Sequence, residues 1–94
     1  MELSERYIKQ LESEGFASVY EWQDPAGTVY EEHEYQGKTT LWLTDGSIEM
    51  NVDGENITLK AGDRYDVPPK TKHSSVVGPN GWIVIVGEEI EGDS

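Results

Sequence analysis

The sequence predicts an all-β domain, an antiparallel barrel carrying one short helix at its N-terminus. Three observations lead there. Short runs rich in Val, Ile, Thr, Tyr and Trp recur from residue 18 onward. Gly, Pro and Asp punctuate them at intervals typical of a sandwich or barrel. Helical spacing of apolar residues stops at Gly15. The 94 residues leave room for a single domain, divided into a helical segment 1–15, a barrel 16–87 and an acidic tail 88–94.

Ser4 is placed to cap a helix running through Glu14, Glu5 suits its positive end, and Gly15 stops it. Leu3, Tyr7 or Ile8, and Leu11 form one apolar stripe that must lie on something. Strands are expected at Ser18–Gln23, Gly27–Tyr35, Thr39–Thr44, Ser47–Val52, Asn56–Lys60, Arg64–Val67, Lys72–Val77 and Trp82–Gly87. Asp45-Gly46 and Asp53-Gly54 are two-residue hairpin signals, and the segments Asp24–Gly27 and Gly78–Gly81 read as turns. Ile48, Met50 and Val52 alternate with polar residues, so that strand buries one face. Trp82–Val86 does not alternate and is expected to be buried on both faces. Eight short strands must hide their edges, and a jelly roll closed on itself does so.

Charge narrows the function classes. Nineteen Asp and Glu against seven Lys and Arg give a formal charge of −12. That repels phosphate backbones and anionic bilayers, so neither nucleic acid nor a membrane is an expected partner. With no Cys there is no disulfide framework, thiolate zinc site or thiol nucleophile. No apolar run reaches signal-peptide or membrane-span length, and a soluble cytoplasmic protein is expected. A homodimer is expected as well, because so small a chain buries little, and Trp42 and Trp82–Val86 need cover.

Two segments carry the chemistry. The first runs from Gly27 through His33 and Tyr35 to Thr39 and Gly46; the second runs from Gly62 through Pro68 and Lys70 to His73 and Val77. Together they resemble the two motifs of the cupin superfamily, over about half the chain. The first family motif is Gly, five residues, His-x-His, three or four residues, Glu, six residues, Gly. The second is Gly, five residues, Pro-x-Gly, two residues, His, three residues, Asn. Gly27, His33, Gly46, Gly62, Pro68 and His73 fall in register. Tyr35 stands at the second His, Thr39 at the Glu, Lys70 at the later Gly, and Val77 at the Asn. The resemblance implies a jelly-roll barrel whose mouth gathers these positions, and in metal-binding members the three His and the Glu hold one divalent ion.

Parity on a strand places Glu31, His33 and Tyr35 on one face. Thr39 and Leu41 share an inward face on the next strand, and His73 and Ser75 on a later one. The metal candidates are therefore His33 and His73, with Tyr35 and Glu31 competing for a third position, around Zn²⁺, Ni²⁺, Fe²⁺, Mn²⁺ or Cu²⁺. The pocket candidates are Tyr35, Thr39, Leu41 and Ser75. Without the carboxylate, a pocket binding a small polar or anionic metabolite is favoured. A metal-dependent isomerase, dioxygenase or decarboxylase is the alternative, and a non-catalytic scaffold the third reading. Lys38, Lys70 and Lys72 flank the motif loops and could steer an anion.

Overall fold

The structure, a computed structural model, describes residues 2–92. The last two residues of the acidic tail, 93 and 94, lie outside the described residues. One helix, α1 (Leu3–Ser13), precedes six strands: β1 (Ser18–Asp24), β2 (Val29–His33), β3 (Thr39–Val52), β4 (Glu55–Lys60), β5 (Arg64–Val67) and β6 (His73–Glu88). All strand pairings are antiparallel. Among the described residues no helix is long and apolar enough to cross a membrane.

The expected eight strands are present as eight segments, but two pairs of them are continuous. Residues 39–44 and 47–52 form the single strand β3, and residues 73–77 and 82–88 the single strand β6. The two long strands run side by side and both bend at one place. On one side of the bend, β6 pairs with β1 and β3 with β5; on the other, β6 pairs with β2 and β3 with β4. Two four-stranded walls thus share their central strands, which is the jelly-roll arrangement.

Neither Asp45-Gly46 nor Gly78–Gly81 reverses the chain, contrary to the turn expectation. Gly46 and Gly81 both adopt positive φ, and the ladder slips register on either side of Gly46, so the residues serve as a bulge and corner. Asp53-Gly54 does turn the chain, both residues having positive φ, as a two-residue hairpin of the right twist requires. The helix begins at Leu3 with Glu2 as its cap, and no side chain caps it. Ser4 lies two residues past the cap position, because the Arg6 N–H already donates to the Glu2 carbonyl.

Leu43, Ile48, Val67, Val77 and Val84 are sealed between the walls at 2% exposure or less. Trp82, Val84 and Val86 face this core, which explains half of their unbroken hydrophobicity. The other half is explained by α1. Ile85 is fully buried, Leu11 and Phe16 lie against Gly87, and Tyr7 stacks on Trp42 with ring centroids 3.8 Å apart. The chain's own helix thus covers this face of the sheet. Strand β6 continues through Glu88, which is 2% exposed, so the barrel extends one residue into the expected tail.

Candidate functional site

A cavity of about 240 Å³ opens between the walls. His33 reaches it from the end of β2 and His73 from the start of β6, where the two residues are direct cross-strand partners. Their Nε2 atoms lie 3.1 Å apart. His33 Nδ1 is 2.7 Å from the Glu31 carbonyl oxygen, and His73 Nδ1 is 3.1 Å from that of Thr71. A carbonyl only accepts, so both Nδ1 atoms carry protons and both Nε2 atoms present lone pairs to each other. Two facing lone pairs need a proton or a cation between them. Burial holds the His73 imidazole below the ordinary histidine value; the Thr71 carbonyl opposes this and His33 adds to it.

Tyr35 flanks the pair, edge-on to His33 at 5.2 Å between centroids and tilted over His73 at 4.6 Å. Leu41 and Ser75 line the same cavity. Two candidates are not brought in. Thr39 is fully buried beside Val67 and Glu88, outside the cavity wall, and its hydroxyl has no hydrogen-bond partner among the described residues. Glu31 is exposed on the outer side of β2, against a different groove shared with Glu49 and Asn51. The cause is a slip in the β2–β6 register between Tyr30 and His33, which puts Tyr30 rather than Glu31 on the face of His33. Glu31 serves the pair through its backbone carbonyl alone.

Sequence reasoning missed the aromatic wall. Tyr20, Trp22, Tyr30 and Trp82 line the cavity together with Tyr35. Asp24 organises three of them. Its Oδ2 accepts the indole N–H of Trp82 at 2.8 Å, that of Trp22 at 3.1 Å, and the hydroxyl of Tyr30. Burial first, and Asp24 second, push the Tyr30 phenol up to about 12, so it stays a neutral donor. The available signal was parity: Tyr20, Trp22 and Asp24 alternate along β1 and therefore share its inward face.

No protein-family model and no curated protein sequence matches this chain. Solved structures do. An RmlC-like cupin from Shewanella frigidimarina is 28% identical, with 80% of this chain and 68% of that one covered at a TM-score of 0.69. The fold is that of the cupin superfamily. The cupin domain of Cnp3 from Schizosaccharomyces pombe aligns over 78% of this chain and 55% of its own, at 17% identity and a TM-score of 0.70. The DMSP lyase DddQ from Ruegeria pomeroyi aligns over 81% and 39%, at 19% identity and a TM-score of 0.70. At those two identities the likeness is one of fold.

Within the cupin frame each departure from the motifs has a visible environment. Lys70, at the motif's second Gly, keeps the left-handed backbone with φ of 56°, and its N–H donates to the Tyr35 carbonyl at 2.7 Å. Val77, at the Asn, is 2% exposed in the core. Lys38 sits over the Phe16 ring at 5.2 Å, on the helix side of the molecule rather than in the cavity wall.

Proposed function

We propose that this cupin binds a small organic molecule inside its barrel, at a pole formed by His33 and His73 that holds a divalent transition metal. The observation that carries the reading is the convergence of two Nε2 lone pairs across 3.1 Å at the cavity wall. Two imidazole nitrogens take about that separation when they share one ion through bonds of roughly 2.0–2.1 Å. Each ring is fixed from behind by a backbone carbonyl, the usual support for a metal-ligating histidine. When bound, such an ion would supply a Lewis acid toward an oxygen or nitrogen of the ligand.

Among the described residues no third His, Cys, Asp or Glu joins the pair to make a metal-holding group. With two protein nitrogens only, the ligand itself completes the shell, which favours binding over turnover. The cavity wall contains no Lys or Arg, so an anionic ligand group would find its partner at the metal pole alone, and the wall away from that pole favours neutral or cationic groups. The second reading, a metal-dependent enzyme, draws on the same pair: an ion held by two imidazoles alone would keep its remaining positions open to a substrate. A pure scaffold would leave the converging imidazoles without a role.

Elemental analysis and calorimetric titration with Zn²⁺ and Ni²⁺, on protein purified without a polyhistidine tag, test the proposal. Stoichiometric metal is expected in the wild type, with loss in His33→Ala and in His73→Ala. Full metal content in the double variant overturns it.

A further inference from the structure

The polar edges of four cavity residues are all turned toward carboxylates. Trp22 and Trp82 give their only N–H groups to Asp24 at 3.1 and 2.8 Å, and Tyr30 gives its hydroxyl to the same oxygen. Tyr20 donates its hydroxyl to Glu88 at 3.1 Å. An indole has one donor, so once that is engaged the group left for a ligand is the ring itself. A carboxylate accepting that N–H also pushes electron density into the ring and deepens the negative face. Two carboxylates therefore stand behind an aromatic wall that contains no Lys or Arg.

From this we infer that the barrel selects a methylated organic cation, a small molecule carrying a quaternary ammonium group. The inference rests on the reading of the barrel as a ligand pocket and names the class of ligand. An anion finds no basic side chain on the aromatic wall. A primary ammonium would face ring surfaces with its own N–H groups unpartnered, at a desolvation cost a methylated nitrogen avoids. A neutral apolar group would fit the rings but gain nothing from Asp24 and Glu88. A quaternary ammonium gains from both, through cation–π attraction strengthened by desolvation. The cavity of about 240 Å³ is below the roughly 300–1,000 Å³ of drug-sized pockets, which suits one compact head group. The overall charge of −12 concentrates cations around the chain.

Calorimetry and tryptophan fluorescence on the whole protein, metal-free and zinc-loaded, compare choline with 3,3-dimethyl-1-butanol, the same shape with carbon in place of the charged nitrogen. Choline is expected to bind tenfold or more tightly than the isostere, and tetramethylammonium to compete with it. Trp22 is half exposed at the rim, so Trp22→Leu should fold and lose most of that preference. Asp24→Asn keeps an acceptor while removing the charge and should reduce the preference too. Equal affinity for choline and its isostere overturns the cation inference and leaves the pocket reading intact. Binding of neither also overturns it, and the pocket reading then rests on the metal content of the histidine variants.

Discussion

Gly46 and Gly81 approach so closely that a methyl group on Gly46 would lie 1.9 Å from the Gly81 carbonyl oxygen. Both glycines have positive φ, and together they let β3 and β6 bend side by side from one wall into the other. Gly46→Ala therefore combines backbone strain with a clash against main chain that cannot swing away. We expect it to cost more than about 2 kcal/mol, against about 1 kcal/mol for Gly54→Ala, where φ is positive but the space is open. Thermal denaturation of the two variants checks the order; equal losses would mean that the corner is not rigid.

That pair also marks where the sequence was legible and where it was not. Asp45-Gly46 and Asp53-Gly54 carry the same chemistry, and both supply the positive φ. Whether the chain reverses depends on what the next segment pairs with. Residues 55–60 fold back on β3, whereas 47–52 continue beside β6. Dipeptide chemistry holds no information about that partner. Strand faces with clean alternation, such as Ile48–Val52, and the two motif histidines were readable because period two and spacing are local. Glu31 was misplaced because a register slip is invisible to period two. The wall of Trp22, Tyr30 and Trp82 was missed because aromatics on strands are expected in the core.

Lys70 holds a left-handed backbone with φ of 56° at a position where the cupin motif has Gly. A non-glycine residue there costs roughly 1–2 kcal/mol, and Gly returns about 0.4–1 kcal/mol of that through the freer unfolded chain. The balance favours Gly. Lys70→Gly should stabilise the fold by about 0.5–1 kcal/mol, a rise of a few degrees in the melting temperature. A drop in melting temperature would show that the lysine side chain has a structural role.

Asp24 gathers two indoles and a phenol on one oxygen. Asp24→Ala strands the N–H of Trp82, which is 6% exposed, and should cost about 1–3 kcal/mol. Tyr30 provides a second readout. Its phenol is pushed up to about 12 by burial first and Asp24 next. In the variant it should titrate lower but stay above the ordinary value of about 10, since burial remains. Ultraviolet titration of the tyrosines measures this. No change in the last-titrating tyrosine would place the perturbation elsewhere.

Glu14 and Arg64 tie the end of α1 to β5 through two hydrogen bonds of 2.6 and 2.8 Å. The Arg64 guanidinium lowers the Glu14 carboxyl from 4.5 to about 2. A depressed acid binds fewer protons folded than unfolded, so its stabilisation is present above about 4.5 and is lost as pH falls toward 2. Both side chains are partly exposed, which limits the effect to about 1 kcal/mol or less. Glu14→Gln should flatten the stability curve in that window and leave it unchanged in shape near neutrality. Denaturant melts at several pH values decide the matter. Near-UV circular dichroism follows the helix, because Arg64 lies over Trp42, whose ring stacks on Tyr7.

Glu31 is where strand parity and the folded chain disagree, and its variants separate the two accounts of the histidine pole. Simple alternation would put its carboxylate beside His33, as the third donor to an ion. The register slip after Tyr30 instead leaves the side chain outside and the carbonyl inside, 2.7 Å from His33 Nδ1. Glu31→Gln preserves that carbonyl and should leave metal affinity within about twofold of wild type, the change expected from one distant surface charge. His33→Ala removes half the chelate and should lower it by orders of magnitude. Glu31→Pro is the informative contrast, because it disturbs the backbone that orients the His33 ring without touching a ligand. Losing an orienting partner typically costs 10–100-fold in metal affinity, so an intermediate loss is expected. If Glu31→Gln alone removes the metal, the carboxylate reaches the pole after all and β2 carries no slip in solution.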